Sequence, residues 1–199
     1  MTLCLLARHA AHDFLDRVLV GRKDGVHLSH AGCREASALP ERLRRFDISA
    51  VQSSPRHRSI ETATPIARAR GLPLETSPAL DEIDFGSWTG CAFEELARDP
   101  EWRRWNDARS WSRPPDGESM REAQERIASH LIAMHKAYPG RCIVLVTHAE
   151  IIRAAILKAM SLPLDDWWRI EVPPASVTPL QLCSRAHSML SLGEGMAVA

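Results

Sequence analysis

Three apolar runs of strand length end abruptly in polar side chains: "TLCLLA" (2–7) before Arg8 and His9, "ISAVQSS" (48–54), and "CIVLVTH" (142–148). None alternates apolar with polar residues, so each suits a strand covered on both faces, as in a parallel sheet flanked by helices. Helical spacings lie between them. Ser29 is a natural N-cap for a helix over 29–45 that sets Ala36, Leu39 and Leu43 on one stripe. Residues 56–70 gather Ile60, Ala63 and Ala67, and residues 117–137 gather Ala123, Ile127, Leu131 and Met134. Residues 149–160 are apolar enough for a buried helix. Alternation of this kind predicts an α/β fold, a three-layer α/β/α sandwich whose central sheet is mostly parallel with helices on both faces.

Residues 88–115 break the rhythm with five aromatics and are read as a small, mostly helical flap; a loose tail is expected from about 187. One domain over 1–199 accommodates all of this. The 25 basic and 25 acidic residues cancel, which argues against a nucleic-acid or membrane-surface partner. No run approaches the roughly 20 apolar residues of a membrane span, and no basic leader precedes the first apolar run. Five cysteines without close spacing read as reduced thiols, so a soluble cytoplasmic protein is expected.

Ligands of open α/β sheets bind outside the carboxyl ends of the strands. The first run delivers Arg8 and His9 there, the second leads into Arg56 and Arg58, and the third delivers Thr147 and His148. "LDEIDFGSW" (80–88) adds Asp81, Glu82 and Asp84 on a loop. Imidazoles, arginines and a carboxylate converging on one rim suit a phosphate ester. Guanidinium forks bind phosphate oxygens in pairs, and a neutral imidazole can attack phosphorus. A second imidazole, if protonated, would offset charge on the transferring group. A carboxyl group can protonate the leaving oxygen and then activate water.

These residues resemble the histidine phosphatase superfamily, also called phosphoglycerate-mutase-like, over about residues 2–160. "LLARHA" resembles its Arg-His-Gly signature. "GRKDGVHLSHAGCREA" (21–36), "SSPRHRSIETA" (53–63), "LDEIDFGSWTG" (80–90), "PPDGESMREAQER" (114–126) and "VLVTHAEIIRAAI" (144–156) resemble its further segments in order. The resemblance implies His9 as nucleophile, Arg8 and Arg58 as phosphate ligands, Glu82 as proton donor and His148 as partner imidazole. It implies the phosphoglycerate-mutase-like fold and a small phosphorylated metabolite as substrate, with no cofactor and no metal. A homodimer stays open.

Departures from the family pattern are local. The signature Gly is Ala10, the following Glu-Thr or Glu-Ser is Ala11-His12, an Asn that often contacts phosphate aligns with Leu15, and the Gly after the second histidine is Ala149. Because Gly admits positive φ and close approach, Ala10 and Ala149 are expected to narrow or tilt the phosphate cradle, and Ala10→Gly to raise activity. Strain at such a site is of order 1–3 kcal/mol. A metal site from His12, Asp24, His27 and His30 has nothing to fix its geometry. Arg103, Arg104, Arg109 and Arg113 read as a solvated helix face rather than a substrate clamp, and Trp102 and Trp105 as flap packing. Against the phosphatase reading stand a phosphoglycerate mutase, disfavoured by the short chain and small flap, and a catalytically weak phosphate-binding module. Acylation and dinucleotide chemistry have no motif here.

Overall fold

Strands without alternation must be covered on both sides, and a computed structural model, which describes residues 1–183 and 190–192, shows how this chain does so. The strands are β1 (Thr2–Arg8), β2 (Ile48–Ser53), β3 (Leu74–Thr76), β4 (Cys142–Thr147), β5 (Val177–Leu182) and β6 (Leu190–Leu192). They form one sheet in the order β3-β2-β4-β1-β5-β6. The first four are parallel; β5 runs antiparallel to β1, and β6 antiparallel to β5. Leu190–Leu192 falls within the segment expected to be a loose tail, and its backbone pairing with β5 corrects that expectation there. The rest of that segment lies outside the described residues.

Successive residues of β1 and β4 point to opposite sides. Leu5, Ala7, Val144 and Val146 join a core with helices α1 (His30–Arg42) and α2 (His57–Arg70). Cys4, Leu6, Ile143 and Leu145 join another with α5 (Met120–Ala137) and α6 (Ala149–Ala159). Three layers result. Ser29 caps α1 as its hydroxyl position predicts, accepting from the Gly32 N–H at 3.0 Å. The flap contributes two short helices, α3 (Phe93–Leu96) and α4 (Pro100–Asp107). Trp105 of α4 is fully buried, edge-on to Phe85 at 6.3 Å, and Trp88 meets Trp102 edge-on at 5.3 Å. Among the described residues no helix is long and apolar enough to cross a membrane.

This order creates a crevice. The chain leaves β1 for α1 on one face, whereas it leaves β4 for α6 on the other, and the two strands are neighbours in register with Arg8 opposite Thr147. A ligand-sized gap opens where adjacent connections part in this way. His9 and His148 follow these two strand ends directly.

α1 also presses on the loop after β1. The Ser29 N–H donates to the Ala11 carbonyl at 2.9 Å, and a Cβ placed at Gly32 would stand 1.9 Å from that same oxygen. Gly32→Ala therefore must push either the helix or the His9–His12 loop aside. It should cost about 1–3 kcal/mol of stability, as overpacking does. Thermal unfolding followed by circular dichroism checks this; an unshifted midpoint would mean the contact is freely relaxed.

Candidate active site

At the crevice a cavity of about 290 Å³ is lined by Arg8, His9, Arg58 and Glu82, with His148 packed behind His9 at 5.2 Å between ring centroids. Four of the five residues singled out from the sequence thus line one pocket, and the fifth touches it through the nucleophile candidate.

His9 is buried, and its Nδ1 lies 2.9 Å from the Ala10 carbonyl. A carbonyl only accepts, so Nδ1 carries the proton and Nε2 keeps its lone pair. Burial pushes the His9 pKa well below the ordinary value, and the charges of Arg58 and Arg8 push it further. The neutral, nucleophilic form is therefore the resting one. His148 is fully buried and depressed in the same way, first by burial and then by Arg58. Its Nδ1 accepts from Arg58 Nη2 at 3.1 Å, which requires the proton on Nε2, 2.8 Å from Ser54 Oγ. In the free protein this second imidazole is consequently neutral, and the protonated form considered from the sequence is not the resting state. Its Nε2 stands 3.8 Å from Asp81 Oδ1, with Ser54 bridging to that oxygen at 3.3 Å.

Arg58 is buried and Arg8 half-buried, and both have donors to spare. Arg58 is 1% exposed; its Nη2 donates to the Gly21 carbonyl at 2.7 Å, while Nε and Nη1 have no acceptor. Arg8 Nη1 donates to the Val172 carbonyl at 2.6 Å, and its Nε is unpaired. Burial lowers both pKa values, that of Arg58 to about 10, yet both stay charged at neutral pH. Unpaired guanidinium donors beside a neutral imidazole suit a tetrahedral anion.

Glu82 is 8% exposed, and burial raises its pKa to about 7, helped by the negative charge of Glu150. Its Oε1 accepts from its neighbour's Ile83 N–H at 3.0 Å. A carboxyl poised there can give a proton and take one back. The loop that carries it is held from outside. Asp81 is gripped by Arg56, Nε to Oδ1 at 2.9 Å and Nη2 to Oδ2 at 2.6 Å. Arg126 pairs Nε and Nη2 with Glu118, at 2.8 and 2.7 Å, and donates through Nη1 to the Ala79 and Asp81 carbonyls. Arg22 reaches Glu118 at 2.9 Å and the Glu82 carbonyl at 2.8 Å.

Several residues of the cavity escaped the sequence reading. His12 is buried, stacked on His9 at 5.4 Å, its pKa lowered to about 4 by burial and the two arginines, and its Nδ1 has no partner. His27, grouped with it in the metal site weighed from the sequence, pairs with Glu61 at the surface. Arg103, Arg104 and Arg113 are exposed, but Arg109 is buried in the cavity wall, so the solvated-face reading fails for that one residue. The signal that could have separated it is its place after α4 ends, where the turn carries it inward.

A family model described as "Histidine phosphatase superfamily (branch 1)" matches residues 4–194. "Phosphoserine phosphatase 1" of Hydrogenobacter thermophilus is 29% identical over 96% of this chain and 92% of its own. A "bifunctional protein" of Mycobacterium tuberculosis is 32% identical over 96% of this chain, which spans 53% of that longer protein. The native structure of a mycobacterial glucosyl-3-phosphoglycerate phosphatase matches with a TM-score of 0.81 and 26% identity, covering 98% of this chain and 99% of its own.

The expected strain at Ala10 is absent. Non-glycine residues with positive φ are Asp16, Asp116, Ser161 and Ala175 among the described residues, and Ala10 is not one of them. Its side chain packs in the α1/α2 core, its N–H donates to Thr62 Oγ1 at 2.9 Å, and its carbonyl holds His9. The methyl points into the protein rather than the cradle, and Ala149 likewise opens α6 without positive φ. Ala10→Gly should therefore leave kcat/KM on an aryl phosphate unchanged or lower. It should cost about 0.5–1 kcal/mol through backbone freedom, readable in a denaturant titration. A gain in kcat/KM would restore the strain argument.

Proposed function

Since the chain belongs to the histidine phosphatase superfamily, branch 1, and is a phosphatase of small phosphate esters, we propose that it hydrolyses them in two steps through a phosphohistidine at His9. The observation that carries this reading is the tautomer of His9: Nδ1 tied to the Ala10 carbonyl, Nε2 free, beside unpaired guanidinium donors. Arg8 and Arg58 hold the phosphoryl oxygens. His9 Nε2 attacks phosphorus, the bond to the leaving oxygen breaks, and the Glu82 carboxyl gives that oxygen its proton. The Glu82 carboxylate then takes a proton from water, the water oxygen attacks phosphorus, the P–N bond breaks and inorganic phosphate leaves. His148 accepts from Arg58 throughout and keeps that guanidinium aimed. The names of the relatives support a small phosphorylated metabolite as substrate. A resting neutral nucleophile and a carboxyl that titrates near neutrality support turnover over mere phosphate binding.

Rapid mixing with a phosphorus-labelled aryl phosphate, quenched in alkaline detergent where phosphohistidine survives, should trap label on the wild-type chain. His9→Ala should trap none while keeping the wild-type circular dichroism spectrum. Label that persists in His9→Ala overturns the assignment.

The pH dependence has a definite sign. Glu82 acts first as an acid, so its protonated form is the active one, and that form is lost as pH rises through about 7. His9 and His148, depressed below the ordinary histidine range, add no loss near neutrality. For an alkyl phosphate, kcat/KM should fall about tenfold per pH unit above pH 7, since that parameter reports the free enzyme. Glu82→Gln should flatten this limb and should slow alkyl esters far more than aryl esters, whose phenolate leaves unaided. Equal losses on both would remove Glu82 as the acid.

A further inference from the structure

His12 is a cavity residue that the two-step mechanism leaves unused. It follows β1 in the same loop as His9 and is 5% exposed. Its ring lies 5.4 Å from the His9 ring between centroids, with 30° between the planes, and Phe14 leans against it at 6.4 Å. Nδ1 is enclosed without a partner; Nε2 is not enclosed and bonds to no described residue. No described residue therefore satisfies either ring nitrogen. The ring lines the same cavity as Arg8, His9 and Arg58.

A polar group buried without a partner is costly unless a ligand completes it. The charges around His12 say which kind of ligand does so. Arg58 of α2 and Arg8 of β1 both repel a proton on this ring, as they repel one on His9, whereas Asp13 and Asp16 of its own loop attract one. Burial and the two guanidiniums prevail in the empty cavity, so the ring rests neutral, its pKa lowered to about 4. Among the other groups nearby, His9 is neutral, Glu82 titrates at about 7, and Glu150 is bonded to Arg109 and Arg153. Lys23 lies over the Phe14 ring, 5.9 Å from its centroid. A phosphoryl dianion between Arg8 and Arg58 brings two negative charges, which offset both repulsions at once. Burial is then opposed by the anion together with Asp13 and Asp16.

We propose that His12 takes up a proton from solvent as the phosphoryl dianion enters and, as imidazolium, donates through Nε2–H to a phosphoryl oxygen. This rests on the reading of the cavity as a phosphoryl site. The third charged donor is present only while the anion is. A permanent cation at this place would stand beside Arg8 and Arg58 in the empty cavity, where like charges shielded from water repel strongly. The proton returns to solvent when inorganic phosphate leaves.

Sulfate is the probe, a tetrahedral dianion that does not itself titrate near neutrality. Two-bond proton–nitrogen NMR of protein labelled with 15N-histidine reads the charge of each ring, the His12 signals being those missing from His12→Gln. At about pH 6 the free protein should show a neutral His12, and saturating sulfate should convert it to imidazolium. A group whose pKa rises on binding strengthens binding as pH falls below its value in the complex. In Glu82→Gln, which removes the carboxyl titration, the sulfate Kd should therefore tighten by up to about tenfold per pH unit between about pH 7 and 5. Adding His12→Gln should flatten that slope. Glutamine keeps a hydrogen-bonding side chain, so the slope, rather than the Kd itself, reports the proton. A His12 that stays neutral in the sulfate complex, or a slope that survives His12→Gln, overturns the proposal. A wild-type chain that traps no phosphoryl label while His12 still charges with sulfate would instead overturn the phosphohistidine step and leave this inference standing.

Discussion

The site depends on how its carboxylates are distributed. Three acids around the cavity are already committed: Asp81 to Arg56, Glu118 to Arg22 and Arg126, Glu150 to Arg109 and Arg153. Glu82 is pushed by burial toward its neutral form. Arg8 and Arg58 are thus left with no carboxylate bonded to either guanidinium among the described residues. Such charges are costly to leave unpaired away from water, and the proposed mechanism gives them the phosphoryl oxygens as partners. Burial keeps His9 and His148 neutral, and the same two charges reinforce it. In the proposed mechanism, anion binding and nucleophile activation therefore arise from one electrostatic arrangement.

That arrangement explains why the recurring sequence segments lie so far apart. Arg22, Asp81, Glu118 and Arg126 touch none of the reacting atoms. They clamp the loop bearing Glu82, and Arg56 ties that loop to the end of β2. A general acid whose pKa is tuned by burial has to be held rigidly, since a small outward movement would hydrate it and return its pKa to the ordinary carboxyl value. The clamp is where most of those segments spend their charged residues. Arg56, which opposes the dipole of α2 as a cation at its N-terminus, finds its reason in Asp81.

What could be read from the sequence was what depends on short range. The unalternating runs gave β1, β2 and β4, and with them the strand ends that carry Arg8, His9, Arg58 and His148. Ser29 and the 3.6-residue stripes gave α1, α2 and α5 close to their observed bounds. β3 spans three residues and has no pattern to find, and β5 carries Pro179, which removes a ladder donor and reads against a strand until its neighbours are known. The places of His12, Arg109 and Arg153 in the cavity wall were illegible for a different reason. Each depends on which way a side chain turns once the flap and the α6 face close over the sheet, and spacing along the chain carries no record of that.

The Ala10 departure shows how a family pattern can mislead when residue type is taken for conformation. Gly at that place invites an argument from positive φ, yet here the backbone turns without it, and the carbonyl of Ala10 is the group that sets the tautomer of His9. The functional content of the position lies in its backbone, which any residue of suitable size supplies. The methyl then serves packing against α1 and α2, on the side of the chain away from the ligand. His12, Leu15 and Ala149 are the departures that do line the cavity. Leu15 brings no donor, whereas His12 brings an unpaired Nδ1 stacked one ring away from the nucleophile. The polar atom of this wall thus comes from His12, three residues before Leu15.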